Sequence, residues 1–231
     1  MIHYRPPGPY EIVFSTRLGG VSEGPYESLN LGRLTGDDVE RVDENRRRLC
    51  TAIGAELEPL ALNRQIHSML VHRAVPGKRG QPGDGLWTEE RDLPILAMTA
   101  DCVPVALTRA HGRPGVAVLH VGWRGLLDGI VAEGVRALAG ATHAAIGPSI
   151  GPCCYEVGPE VAERFAQAFG ADVVKGRKLD LWTSVERALR RAGVEEVIGF
   201  DLCTHCGPDL FFSHRRTGKP RGVQGVIARV A

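Results

Sequence analysis

Residues 99–125 read TADCVPVALTRAHGRPGVAVLHVGWRG. Two apolar runs, VPVALTR at 103–109 and GVAVLHVG at 115–122, flank the short stretch AHGRP. Gly and Pro in such a linker mark a turn, so the spacing predicts a β-hairpin. With the turn centred near residues 111–112, paired positions have numbers adding to about 222–224, and Cys102 falls opposite His120 or within two residues of it. Cross-strand neighbours hold their Cβ atoms roughly 4.5–5.5 Å apart, close enough for a thiol and an imidazole to share one ion or one proton. A cysteine after an apolar strand also serves as a small buried hydrophobe, and a histidine at a strand end as a hydrogen-bonded edge residue. The setting favours chemistry. Asp101 stands beside the thiol, and Gly122-Trp123-Arg124-Gly125 turns directly onto a helix, where free amides and an arginine suit an anion.

Outward from this hairpin, short apolar strands alternate with amphipathic helices. YEIVFST (10–16) reads as a strand, and DDVERVDENRRRLCTAIG (37–54) as a helix capped by Asp37 or Asp38, with Val39, Val42, Leu49 and Ile53 near one face. Strands are expected around 60–62, 68–75 and 93–99. LLDGIVAEGVRALAG (126–140) repeats apolar residues at 127, 131, 135 and 138 and reads as one helix ended by Gly140. PEVAERFAQAFG (159–170) begins with a proline at a first-turn position. LDLWTSVERALRRAG (179–193) has Asp180 as its cap. EEVIGFDLCT, FFSHRR and GVQGVIARVA read as closing strands. Hairpins mixed with helices argue for an α+β fold, mixed sheets flanked by helices, over a doubly wound parallel sheet. Gly and Pro punctuate the chain evenly, so 1–231 reads as a single domain.

Composition narrows the function classes. The chain has 231 residues, a net charge of +1, 43% hydrophobic and 24% charged residues. That balance gives no electrostatic reason to expect nucleic acid or a membrane as partner. No apolar run approaches the roughly 20 residues that span a bilayer, and MIHYRPPGPYEIVF lacks the basic and apolar regions of a signal peptide, so a cytoplasmic location is expected. Six cysteines in 231 residues are too sparse for a disulfide framework. Cys203-Thr204-His205-Cys206 has the CxxC spacing of a structural metal site, but its only partner pair, Cys153-Cys154, is adjacent, which is poor geometry for tetrahedral ligation and argues against a second ion. Cys50 reads as a core residue of its helix. His3, His72, His111 and His143 read as surface or loop residues, and His214 beside Arg215 as a neighbour of an anion.

The chain resembles, almost from end to end, the YfiH family, named in different places multicopper polyphenol oxidase (laccase-like), peptidoglycan-editing factor and purine nucleoside phosphorylase. The likeness is carried by FSTRLGGVSEGPYESLNLG, GDD, ENRRRL, NRQIHS, GDGLWT, TADCVPVAL, HVGWRG, IGPSIGPCCYEVG, LDLW, CT and FFSHRR followed by TG. It implies a fold related to that of the cytotoxic necrotizing factor toxins. It also implies that His67, Cys102 and His120 bind a metal. Ser68, Gly85, Val121 and Lys219 depart from the family's usual residues, and none is a ligand. Three protein ligands from separate segments, with one position left open, are the pattern of a catalytic zinc. Copper is the alternative ion.

The resemblance further implies phosphorolysis of adenosine, inosine and 5′-methylthioadenosine, with adenosine deamination, so purine nucleosides and phosphate are the expected partners. Phosphorolysis needs an anion held beneath the sugar, for which Arg124 is the first candidate and Arg17, Arg215 and Arg216 follow. Asp101 is the candidate proton carrier; it can equally hydrogen-bond its own loop. The zinc-deaminase pattern H-x-E…P-C-x-x-C is absent. A multicopper oxidase is disfavoured, because the chain's eight histidines include no His-x-His pair from which to build a trinuclear cluster, although a single copper at His67, Cys102 and His120 remains open. Cys102 with His120 can alternatively be the nucleophile and base of a cysteine hydrolase, including one that edits peptidoglycan precursors. A zinc-stabilised binding module is the non-enzymatic alternative. The oligomeric state does not follow from these residues.

Overall fold

A computed structural model describes residues 1–109 and 111–231. The expected hairpin is present as Val103–Arg109 paired antiparallel with Gly115–Val121; Ala110, in the expected turn, lies outside the described residues. Val103 pairs with Val121 and Pro104 with His120. Continued by one residue, this register sets Cys102 across from Gly122, two residues from His120.

Two six-stranded mixed sheets pack face to face. One runs Ile2–Tyr4, Tyr10–Phe14, Gln224–Val230, Ile95–Thr99, Ala61–Arg64, Arg79–Pro82. The other runs Glu196–Gly199, His143–Ile146, Val103–Arg109, Gly115–Val121, Gly85–Thr88, Val71–Arg73, with the hairpin at its centre. Side chains alternate across each strand. Ile12, Phe14, Ile95, Val226 and Ala228 meet Ala106, Val116, Val118 and Ala145 in the core between the sheets. Val103, Val105, Leu107, Leu119 and Val121 point to the outer face of the second sheet, where Ile130, Val135, Phe165, Val185 and Leu189 cover them. Helix Val39–Thr51 covers the outer face of the first sheet through Leu49, with Cys50 fully buried beside it. The order is therefore helix, sheet, sheet, helices, as the α+β expectation requires.

Several boundaries follow from capping chemistry. The Asp38 carboxylate accepts from the amides of Glu40 and Arg41, Asp180 accepts from Thr183, and Pro159 opens helix Pro159–Phe169. Two expectations are corrected. The stretch 126–140 does not form one helix: Trp123–Asp128 and Ile130–Ala137 are separated at Gly129, whose φ of 98° is a left-handed conformation that breaks the ladder. FFSHRR is not a strand. His214–Thr217 is a single helical turn capped by Ser213, because its polar groups find tertiary partners: Arg216 donates to the carbonyls of Thr204, His205 and Phe211.

Candidate metal centre and anion pocket

The open end of the hairpin carries the site. Cys102 immediately precedes the strand Val103–Arg109, and His120 lies near the end of Gly115–Val121. His67 arrives from the loop after Ala61–Arg64 with φ 60°, a left-handed conformation unusual for a residue bearing Cβ. The ligand atoms of His67, Cys102 and His120 all lie within 4.8 Å of one another. Cys102 Sγ is 3.7 Å from His67 Nε2, and the two imidazoles sit edge to face with centroids 4.8 Å apart.

Asp84 holds the imidazole of His120 and the main chain of His67. Its Oδ1 accepts from His120 Nδ1 at 2.8 Å and from the His67 amide at 2.9 Å. Its Oδ2 accepts from the amides of Ile66 and Ser68 and from the Ser68 hydroxyl. The first bond fixes the tautomer of His120 and leaves Nε2 free towards Cys102. A carboxylate behind a ligating histidine is the usual second layer of a metal site. Asp84 therefore belongs to the centre, although no role is assigned to it from the sequence. The signal was its position in Gly83-Asp84-Gly85, an acid between two glycines within a run that is otherwise strand-like. Gly122 completes the packing: a Cβ there would lie 2.8 Å from His67 Cδ2 and 3.5 Å from Cys102 Sγ.

Electrostatics agree with the geometry. Burial works against the Cys102 thiolate, but the charge of His120 and hydrogen bonds from both imidazoles outweigh it and bring the thiol down to about 6. Burial likewise works against the His120 cation, yet Cys102 and Asp84 raise it to about 9. Asp84, for all its burial, is held at about 2 by hydrogen bonds from His120 and Ser68. Without a cation the cluster is thus a thiolate–imidazolium pair braced by a carboxylate. One thiolate and two imidazoles converging at ligand spacing, the second layer already in place, suit zinc and also copper.

The remaining sequence candidates sit as follows. Asp101, with φ 94°, accepts from Thr204 Oγ1 at 2.7 Å and from the Arg215 amide at 2.6 Å, joining the Cys102 loop to the 203–216 segment. The Arg215 side chain donates to the Glu156 carbonyl and lies over Tyr155. Arg17 donates to the carbonyls of Glu27 and Pro208 and lies over Phe212. Arg124 is exposed and lies over Trp123. Arg221 was not singled out in the sequence. It lines a cavity of about 450 Å³ together with Arg64, Gln65, Arg79, Met98 and Lys219, and Gln65 is two residues before His67. Burial lowers the Arg221 guanidinium while the charges of Asp101 and Cys102 work the other way, and its buried Nε has no partner among the described residues. No local pattern in the sequence distinguishes it from 23 other arginines.

A second group of ligand type also converges. The sulfurs of Cys153, Cys154, Cys203 and Cys206 lie within 4.8 Å of one another. The adjacency of the first two, which argued against this from sequence, is overcome by a tight turn in which the Cys154 and Tyr155 amides both donate to the Gly151 carbonyl.

Residues 11–230 match the profile of the family described as multi-copper polyphenol oxidoreductase laccase. The chain is 38% identical over 216 residues to the purine nucleoside phosphorylase YfiH of Escherichia coli, covering 87% of this chain and 86% of that protein. It is 34% identical over 225 residues to a purine nucleoside phosphorylase of Haemophilus influenzae, covering 92% and 91%. Among solved structures, a Neisseria meningitidis protein superposes with a TM-score of 0.87 at 32% identity, covering 99% of this chain and 98% of that one. YlmD from Geobacillus stearothermophilus gives 0.87 at 31% identity, covering 96% and 92%. Among the described residues, no helix is long and apolar enough to cross a membrane.

Proposed function

Because this chain belongs to the multi-copper polyphenol oxidoreductase laccase family, several of whose members are named purine nucleoside phosphorylases, we propose that it is a zinc-dependent purine nucleoside phosphorylase. Its substrates in this reading are adenosine, inosine and 5′-methylthioadenosine with phosphate, and it deaminates adenosine as well. The observation that carries the reading is Arg221. A buried donor left unpaired is costly, and a phosphate oxygen is the partner that would satisfy it. The cavity it lines falls in the range of small-molecule sites, and Arg64, Arg79 and Lys219 add positive charge. Neither cysteine–histidine nor all-cysteine cluster supplies the histidines of a trinuclear copper centre, which favours the nucleoside reading over laccase chemistry.

In phosphorolysis a phosphate oxygen bonds to the anomeric carbon as the bond to the purine nitrogen breaks, and the base leaves with a proton. His67, Cys102 and His120 would hold zinc, which would supply Lewis-acid polarisation there. Arg221 and Lys219 hold the phosphate for in-line attack. Each Asp101 oxygen already accepts one hydrogen bond and keeps capacity for another, through which Asp101 relays a proton from the attacking dihydrogen phosphate to the leaving base. Tyr155, its phenol pushed up by burial and by the Cys102 charge, stays a neutral hydrogen-bond donor. Arg124, Arg17 and Arg215 stand outside the lining of the Arg221 cavity and have at most secondary anion-binding roles in this reading.

The test is chromatographic: inosine with and without phosphate, following hypoxanthine and ribose 1-phosphate, for wild type and Cys102→Ala. Phosphate-dependent base release that disappears with the metal supports the reading; full turnover by metal-depleted Cys102→Ala overturns it. The thiolate–imidazolium pair braced by Asp84 favours one second reading, a cysteine hydrolase acting on an amide such as a peptidoglycan precursor. A thiolate serves poorly as tight zinc ligand and free nucleophile at once, so a zinc-free protein rapidly alkylated at Cys102 would select it.

A further inference from the structure

We propose that Cys153, Cys154, Cys203 and Cys206 form a second metal site, a closed tetrathiolate that binds one zinc ion and ties together the two loops beside the His67–Cys102–His120 centre. This inference does not depend on the reaction assigned above.

Two segments distant in sequence create the cluster. The stretch after His143–Ile146 and the stretch after Glu196–Gly199 leave neighbouring parallel strands and pair again one residue out of the strands' register: Ser149 bridges Cys203, the Ser149 amide donates to the Leu202 carbonyl, and the Thr204 amide donates to the Ser149 carbonyl. Cys203 and Cys206 flank a second tight turn, closed by the Gly207 amide on the Cys203 carbonyl. Cys206 Sγ then lies 3.6 Å from Cys153 Sγ and 3.3 Å from Cys154 Sγ. A tetrahedral zinc with bonds of about 2.3 Å separates its sulfurs by about 3.8 Å. The cluster is therefore already at ligand spacing, and small rotations of the side chains would close it.

Burial for packing does not explain the four thiols. Two are exposed, two are half-buried, and none belongs to a hydrophobic core. The surroundings fit a negatively charged centre. The Gly151 amide donates to Cys203 Sγ at 3.2 Å. Lys178 Nζ donates to the Cys153 carbonyl, and Arg216 donates to the carbonyls of Thr204 and His205, so a cation stands on each side of a site carrying two net negative charges. Four thiolates without an open position select zinc for structure, in contrast to the three-ligand site nearby. What the ion would stabilise is visible in the same loops. Thr204, inside the CxxC turn, bonds Asp101 next to Cys102, and Ile150 donates to the Asp101 carbonyl. Tyr155 follows the adjacent pair directly.

The experiment loads the full chain with zinc under reducing conditions and counts metal per chain for wild type, Cys102→Ala and Cys206→Ser. Expected values are about two, one and one. Cobalt substitution of Cys102→Ala should show the intense sulfur-to-metal charge-transfer bands of a tetrathiolate. As a readout that needs no variant, mass-mapped alkylation of wild type should spare all four cysteines when zinc is bound and label them after chelation. Three results would each overturn the proposal: one zinc per wild-type chain that vanishes with Cys102→Ala, equal labelling of the four cysteines with and without zinc, or a disulfide among them in the reduced, zinc-treated protein. Wild-type protein that holds both zinc ions yet turns over no nucleoside would refute the enzymatic reading and leave this one standing.

Discussion

Asp84→Asn replaces one oxygen by an amide nitrogen in a carboxylate that is fully buried and accepts five hydrogen bonds. The amide has two ways to sit. With nitrogen at the Oδ1 position it opposes the His67 amide and forces the His120 proton onto Nε2, removing a ligand lone pair. With nitrogen at the Oδ2 position His120 is spared, but the Ile66 and Ser68 amides lose their acceptor, while the Ser68 hydroxyl can rotate. These two part-buried amides left unpaired cost at most about 2–6 kcal/mol together. Either way the second layer is damaged, and zinc affinity should fall roughly 10- to 100-fold. The acid limb supplies a further check. Asp84 is held at about 2 against an ordinary value of 3.8, a gap corresponding to about 2 kcal/mol. Because the folded value is the lower one, this contribution is present at neutral pH and decays as pH falls from about 4 to 2; the variant should lack it. Chelator competition and urea denaturation across pH measure both effects. A variant with wild-type zinc affinity and wild-type stability would refute the role given to Asp84.

Three further outcomes follow from the same geometry. In metal-free protein, Cys102 should alkylate with half-maximal rate near pH 6 and be protected by zinc; a midpoint near the ordinary thiol value would contradict the ion pair with His120. Gly122→Ala places a methyl 2.8 Å from His67 Cδ2, so zinc binding should drop at least tenfold while the far-ultraviolet circular dichroism stays native, and unaltered binding would show that the loop yields. Arg221→Met should raise the KM for phosphate by about tenfold or more with a smaller change for the nucleoside, and an unchanged phosphate KM would remove Arg221 from anion binding.

What was legible in the sequence was whatever depends on neighbours along the chain. The hairpin and its register followed from two apolar runs about a Gly/Pro linker, and Asp38, Asp180 and Pro159 marked helix starts through chemistry confined to one turn. The convergence of Cys102 with His120 was an extension of that register; His67 came only through family likeness, since nothing local brings residue 67 to the hairpin. The misses all depend on distant partners. Asp84 acts on residues 16 to 36 positions away, and Arg221 acquires its setting from Asp101 and Cys102. FFSHRR has strand-like composition, but Asp101 and the Thr204 loop recruit its amides and guanidinium into a helical turn. The four cysteines were judged by spacing alone, and the parallel bridge that assembles them joins residues more than fifty positions apart.

Asp84 is a shared hinge pin for two rings that approach from different strands and loops. It steers one imidazole through the ring nitrogen and the other through the main chain, with a single oxygen taking part in both. Any thermal drift of that oxygen therefore carries both rings the same way, so their mutual separation fluctuates less than the position of either. A cation held between them would experience a cradle that sways as a unit and keeps its bite constant.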